Sequence, residues 1–128
     1  MSYYFSKIVQ LSFDEAIAKV IESLKKEGFG VLTEIDVKAT LKKKLNVNFR
    51  NYKILGACNP HFAYEALQKE RMIGTMLPCN VIVQEIEIGI VEIAAMDPVA
   101  SMRAIKNPEL EQLAKKVQAK LKKVVDGI

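Results

Sequence analysis

NVIVQEIEIGIVEIAAM, residues 80–96, is the stretch whose reading decides the fold. Two runs rich in valine and isoleucine, 80–88 and 90–96, flank the compact turn signal at Ile88-Gly89, so the segment reads as a β-hairpin. Hairpins join antiparallel neighbours. A second half dominated by one, rather than by repeated βαβ crossovers, makes the chain α+β.

Upstream of the hairpin the same period of two returns. Tyr52, Ile54, Gly56 and Cys58 share one face while Lys53, Leu55 and Ala57 share the other, which predicts a strand over 49–58. Asn59 then reads as an N-cap and Pro60 as the first residue of a helix, where a missing N–H costs nothing. That helix is expected to run to about Ile73, before Gly74.

Nearer the N-terminus, residues 3–11 alternate loosely as a half-buried strand. Ser12 and Glu15 form an S-x-x-E capping box, in which each side chain satisfies the other residue's free backbone N–H. Phe13, Ala16, Ile17, Val20, Ile21 and Leu24 then lie along one helical face, and Gly28 supplies the stop. GVLTEI, residues 30–35, reads as a strand, and Asp36 caps a brief helix that Asn46 ends. Downstream, Asp97-Pro98 breaks the chain before a loosely helical 99–106. Asn107-Pro108 opens a last helix with the stripe Leu110, Leu113, Ala114, Val117, Leu121, Val124 and Val125.

The expected fold is therefore one domain over residues 1–128: an antiparallel sheet of about five strands with two long helices on one face, in the order β-α-β-β-β-β-α with short helical insertions. The other face is left to solvent, a ligand or another subunit. The chain has 128 residues, half of them apolar, which suffices for one core. No apolar run approaches the roughly 18 residues of a membrane span, and the N-terminus lacks a signal-peptide pattern, so a soluble, cytoplasmic protein with no membrane association is expected. Two cysteines make no disulfide framework, and reduced thiols are the default.

The net charge of +4 resides largely in two lysine-rich runs, one at Lys38, Lys42, Lys43, Lys44 and Arg50, the other at Lys115, Lys116, Lys120, Lys122 and Lys123. Neither accompanies an RNA-binding or zinc-finger signature, so nucleic acid is not an expected partner. The sequence also holds no phosphate loop, dinucleotide fingerprint or paired-carboxylate motif, and no cofactor is expected.

One place carries candidate chemistry. If 52–58 and 80–86 are neighbouring strands joined by the helix between them, Cys58 and Cys79 meet at one edge of the sheet. Cys58 also precedes a helix N-terminus, whose partial positive charge favours a thiolate or an anion. Asn59, His61, Glu70 and Asn80 complete the candidate cluster. Cys58, Cys79 and His61 are its possible soft-metal ligands, though a closed zinc site needs a fourth group. Glu70, four positions after Ala66, falls on or beside the apolar face of the expected helix, paired with Lys53 or Arg71 or lining a cavity. Cysteine pairs of this kind also serve as small core residues, and that reading stands beside the chemical one.

The segments YKILGACNPHFAYEALQKERMIGTMLPCNVIV, AAMDP and NPELEQLAKKV resemble the domain of unknown function 302 family, most specifically in G-x-C-N-P at 56–60, E-x-x-I-G at 70–74 and L-P-C-N-V at 77–81. The resemblance covers essentially the whole chain. It implies a compact α+β domain similar to TATA-box-binding-protein-like folds, commonly seen as a homodimer, and no established activity; function lives in sites rather than in folds. The reading this supports is a non-catalytic module that binds a small anion or soft metal at the Cys58–Cys79 end of the sheet. The alternatives are a thiol redox protein using those two cysteines and a basic partner-binding domain using Lys42, Lys43 and Lys44.

Overall fold

A computed structural model describes residues 2–128. Its strands are β1 (Tyr4–Val9), β2 (Gly30–Asp36), β3 (Tyr52–Cys58), β4 (Cys79–Glu87) and β5 (Ile90–Met96). Its helices are α1 (Phe13–Lys26), α2 (Val37–Leu45), α3 (Pro60–Lys69), α4 (Pro98–Ser101) and α5 (Pro108–Asp126), with a 3₁₀ segment over Arg71–Met76. The strands form one antiparallel sheet in the order β1-β5-β4-β3-β2. The expected α+β sheet with two long helices is the fold.

Local chemistry sets the ends of α1. Ser12 Oγ accepts from the Glu15 N–H and Glu15 Oε1 accepts from the Ser12 N–H, both at 3.2 Å, which completes the capping box. At the other end Gly28 takes φ +84°, a conformation in which a side chain is strained. There the Phe29 N–H reaches the Leu24 carbonyl at 2.9 Å and the Gly28 N–H reaches that of Lys25 at 3.1 Å. Phe29 and Leu24 are then both delivered to the core.

The core lies between one face of the sheet and the pair α1 and α5. Leu55, Ala57, Val81, Val83, Val91, Ile93 and Ala95 alternate inward from β3, β4 and β5. They meet Ala16, Ile17, Val20 and Leu24 of α1 and the C-terminal part of the α5 stripe. All seven residues of the expected α5 stripe are buried, whereas Ile21, expected on the α1 face, is exposed. The helical period turns Ile21 too far toward solvent at the edge of that stripe. A second cluster, Ala66, Ile73, Leu110 and Leu113, ties α3 and the 3₁₀ segment to the start of α5.

Several boundaries differ from expectation: β1 is Tyr4–Val9 rather than 3–11, and the helical turn after Asp97 is Pro98–Ser101 rather than 99–106. β3 begins at Tyr52 rather than Phe49, because its outer neighbour β2 pairs only as far as Asp36 opposite Lys53 before the chain turns into α2. Residues 49–51 keep one backbone bond to β4, the Glu85 N–H donating to the Asn51 carbonyl at 2.9 Å, and side-chain contacts add to it: the Arg50 guanidinium lies 4.4 Å from the Phe49 ring centroid, and Asn51 Nδ2 donates to Glu85 Oε1 at 3.3 Å. α3 ends at Lys69, not near Ile73. Glu70 is extended, with φ −148° and ψ 101°, and the 3₁₀ segment after it returns Ile73 to full burial in the second cluster.

Among the described residues no helix is long and apolar enough to cross a membrane.

Candidate functional site

The ends of β3 and β4 meet where the sequence places them, with Ala57 opposite Cys79. Residues directly opposite on antiparallel strands point to the same face, so Cys79 shares the core face with Ala57. It is 7% exposed and belongs to the main core cluster. Cys58, one residue on from Ala57 and opposite Gly30 of β2 at the end of the strand, is half-buried. Both are free thiols. Burial, and secondarily the neighbouring Cys58, pushes the Cys79 thiol up from 9.0 to about 11.

That displacement has a signed consequence for stability. Between about pH 9 and 11 the unfolded chain has lost the Cys79 proton while the folded chain keeps it, so stability falls as pH rises through that window and is unaffected below it. The full effect is about 2–3 kcal/mol, from a displacement of about two pH units. Unfolding titrations of the native chain and of Cys79→Ala should therefore differ by a gap that shrinks steadily from pH 9 to pH 11. A gap that stays constant would show that Cys79 ionises no differently once folded.

The remaining expected residues disperse. His61, the second residue of α3, is exposed. Asn80 pairs with Gly56 and lies on the opposite, uncovered face of the sheet, in a shallow surface depression with Tyr4, Tyr52 and Gln84. Glu70 is not on a helical face at all, because α3 has already ended. Lys53, one of its expected partners, pairs with Glu34 at 2.6 Å. Among the described residues no group of three His, Cys, Asp or Glu side chains converges as a metal site, so Cys58, Cys79 and His61 do not form the ligand set considered for them.

Asn59 stays at the site in a different role. It caps α3 without a side-chain hydrogen bond, and its Oδ1 is buried with no partner. Its amide packs under the α1 turn, where Nδ2 lies 3.0 Å from the position a Cβ would occupy on Gly28.

What Cys58, Asn59 and Cys79 do share is a wall. A cavity of about 300 Å³ lies between the β3–β4 end of the sheet, α3 and the first half of α5. Phe62, Ala63 and Ala66 line it from α3, and Leu113, Ala114 and Val117 line it from α5. No charged side chain lines it. This volume is at the lower end of ordinary ligand sites and about twice that of the ~150 Å³ apolar cavities that admit benzene. A site with this lining favours apolar surface; it offers no charge for an anion, and its soft donors are the thiols of Cys58 and Cys79. The small residues Ala63, Ala66 and Ala114 are the part of this site missed in the sequence. Ala114 stood there as an ordinary member of an apolar stripe, and the signal was that alanines fall on both facing helices.

The comparisons agree with this architecture throughout. The family model described as Domain of unknown function DUF302 matches residues 5–128. A crystal structure of an uncharacterized conserved protein of that family from Bacillus stearothermophilus is 30% identical, with a TM-score of 0.90 over 98% of both chains. No curated protein matches. A match over nearly the full length, with a solved relative of the same strand and helix arrangement, means that this chain belongs to the DUF302 family.

Proposed function

We propose that the chain is a non-catalytic binding module whose ligand is a small, largely apolar molecule held between α3, α5 and the β3–β4 end of the sheet. The observation that carries this reading is the cavity's lining: eighteen residues surround about 300 Å³, and Asn59 is the one among them with an amide side chain. Filling such a space removes apolar ligand surface from water at roughly 25 cal/mol per Å², so even a ligand of modest size gains measurable affinity. The small anion or soft metal considered from sequence is less well served here, since Cys79 is buried and protonated and the exposed His61 is not part of the cavity's lining. Thiol exchange between Cys58 and Cys79 is disfavoured for the same reason, because the thiolate is the reactive species.

A calorimetric titration with 1-octanol tests the reading. A saturable isotherm with one site per chain is expected; heats that never saturate would remove it.

We propose also that the homodimer expected from the sequence forms through the uncovered sheet face. Supporting this, Ile54, Ile82 and Ala94 form a row there from β3 to β5, flanked by exposed Tyr4 and Ile8.

A further inference from the structure

We infer that the ligand of this cavity is a neutral apolar molecule with one hydrogen-bond donor, a hydroxyl or an N–H, which it gives to Asn59 Oδ1. The inference rests on the reading above and deepens it. Its basis is that Asn59 lines the cavity while its Oδ1 is buried with no hydrogen-bond partner in the protein.

An asparagine at an N-cap ordinarily accepts from the second or third N–H of its helix, which for α3 are those of His61 and Phe62. Asn107, before a proline in the same way, does this for α5, accepting from the Glu109 N–H at 3.1 Å. An Asn-Pro start therefore permits the cap, and Asn59 forgoes it. The other end of its amide lies under the α1 turn: from the position a Cβ would occupy on Gly28, Nδ2 is 3.0 Å away and Cγ 3.9 Å. Oδ1 is the end turned away from Gly28.

A buried carbonyl oxygen without a donor is costly, and protein interiors leave few of them. The rest of the cavity's lining offers no relief. Its other side chains are apolar apart from the two thiols, and neither thiol bonds to Oδ1. The last torsion of an asparagine is soft, so a small turn of the amide presents Oδ1 to a ligand without moving the backbone. A ligand that brings a donor removes the cost, whereas one that brings only an acceptor adds a second unpaired oxygen. A carboxylate meets no cation here and, at neutral pH, has no proton to give.

The test compares 1-octanol with 2-octanone, which has the same eight carbons and one oxygen but only accepts. Both are titrated calorimetrically into the native chain and into Asn59→Leu, which keeps the branched shape of the amide and removes its oxygen. Octanol should bind the native chain about tenfold tighter than the ketone, the scale of one neutral hydrogen bond, and Asn59→Leu should lose that preference. The variant removes no cap bond and is expected to fold. A second readout needs no variant: in the native chain the NMR signals of the Asn59 side-chain amide should move with octanol and not with the ketone. Equal affinities for the native chain, a preference that persists in Asn59→Leu, or equal movement of the amide signals would refute the donor pairing while the cavity reading survives. If neither ligand binds saturably, the cavity reading itself falls and this inference with it.

Discussion

Gly56→Ala loses about 2 kcal/mol of folding stability, seen as a lower urea midpoint with an unchanged slope. Gly56 sits inside β3, opposite Thr33 of β2 and Asn80 of β4. A Cβ there overlaps Thr33 Oγ1 and lies 2.7 Å from Pro78 Cγ. The hydroxyl can rotate away, but the proline ring has no rotamer to escape into, so one strand must move. Backbone conformation is not the cause, since Gly56 has no positive φ. The double variant Thr33→Ala, Gly56→Ala recovers part of the loss and not all of it, because the Pro78 contact remains. An unchanged midpoint in Gly56→Ala would mean the sheet accommodates this approach freely and that the packing described at the end of β3 is wrong.

Ala114→Leu abolishes 1-octanol binding, weakening it by at least about tenfold, while leaving the fold as stable as before or more so. Ala114 is 3% exposed on α5 and lines the cavity, so three added carbons enter space that a ligand would otherwise fill. Filling an existing void usually stabilises by about 0.5–2 kcal/mol, whereas overpacking a filled core destabilises. The two readouts separate the cases. Loss of binding with retained stability marks a true ligand space; loss of both marks an alanine that was simply well packed.

Most of the architecture was legible in the residues because it rests on local rules. The Ser12–Glu15 box, Gly28, and the stripe from Leu110 to Val125 each state their structure within one or two helical turns, and the hairpin at 80–96 sets the antiparallel register from which the sheet grows. The end of α3 was not legible, since nothing between Lys69 and Gly74 forbids a helix. What ends it is the burial of Ile73 against Leu110 and Leu113, residues nearly forty positions away.

The site was readable only in part, for the same reason. Antiparallel pairing of β3 with β4 brings Cys58 and Cys79 to one end of the sheet, as their spacing suggested. The one-residue offset between Ala57 and Cys58 then buries Cys79 in the core and leaves Cys58 half-buried, a distinction that depends on register rather than proximity. Asn80 went to the uncovered face by the same alternation. The cavity itself is a gap between helices, and a gap is a property of what is small on both sides. Ala66 and Ala114 look identical in a sequence whether their helices close on each other or stand apart.

The measurement that bears most directly on the central claim is an amide-resolved NMR titration of the native chain with 1-octanol. The account predicts saturable shifts confined to the cavity lining, centred on Phe62, Ala66, Leu113 and Val117 and absent from Ala114→Leu. Shifts spread over the uncovered face around Tyr4, Tyr52 and Ile82, or no saturable shifts at all, would contradict it.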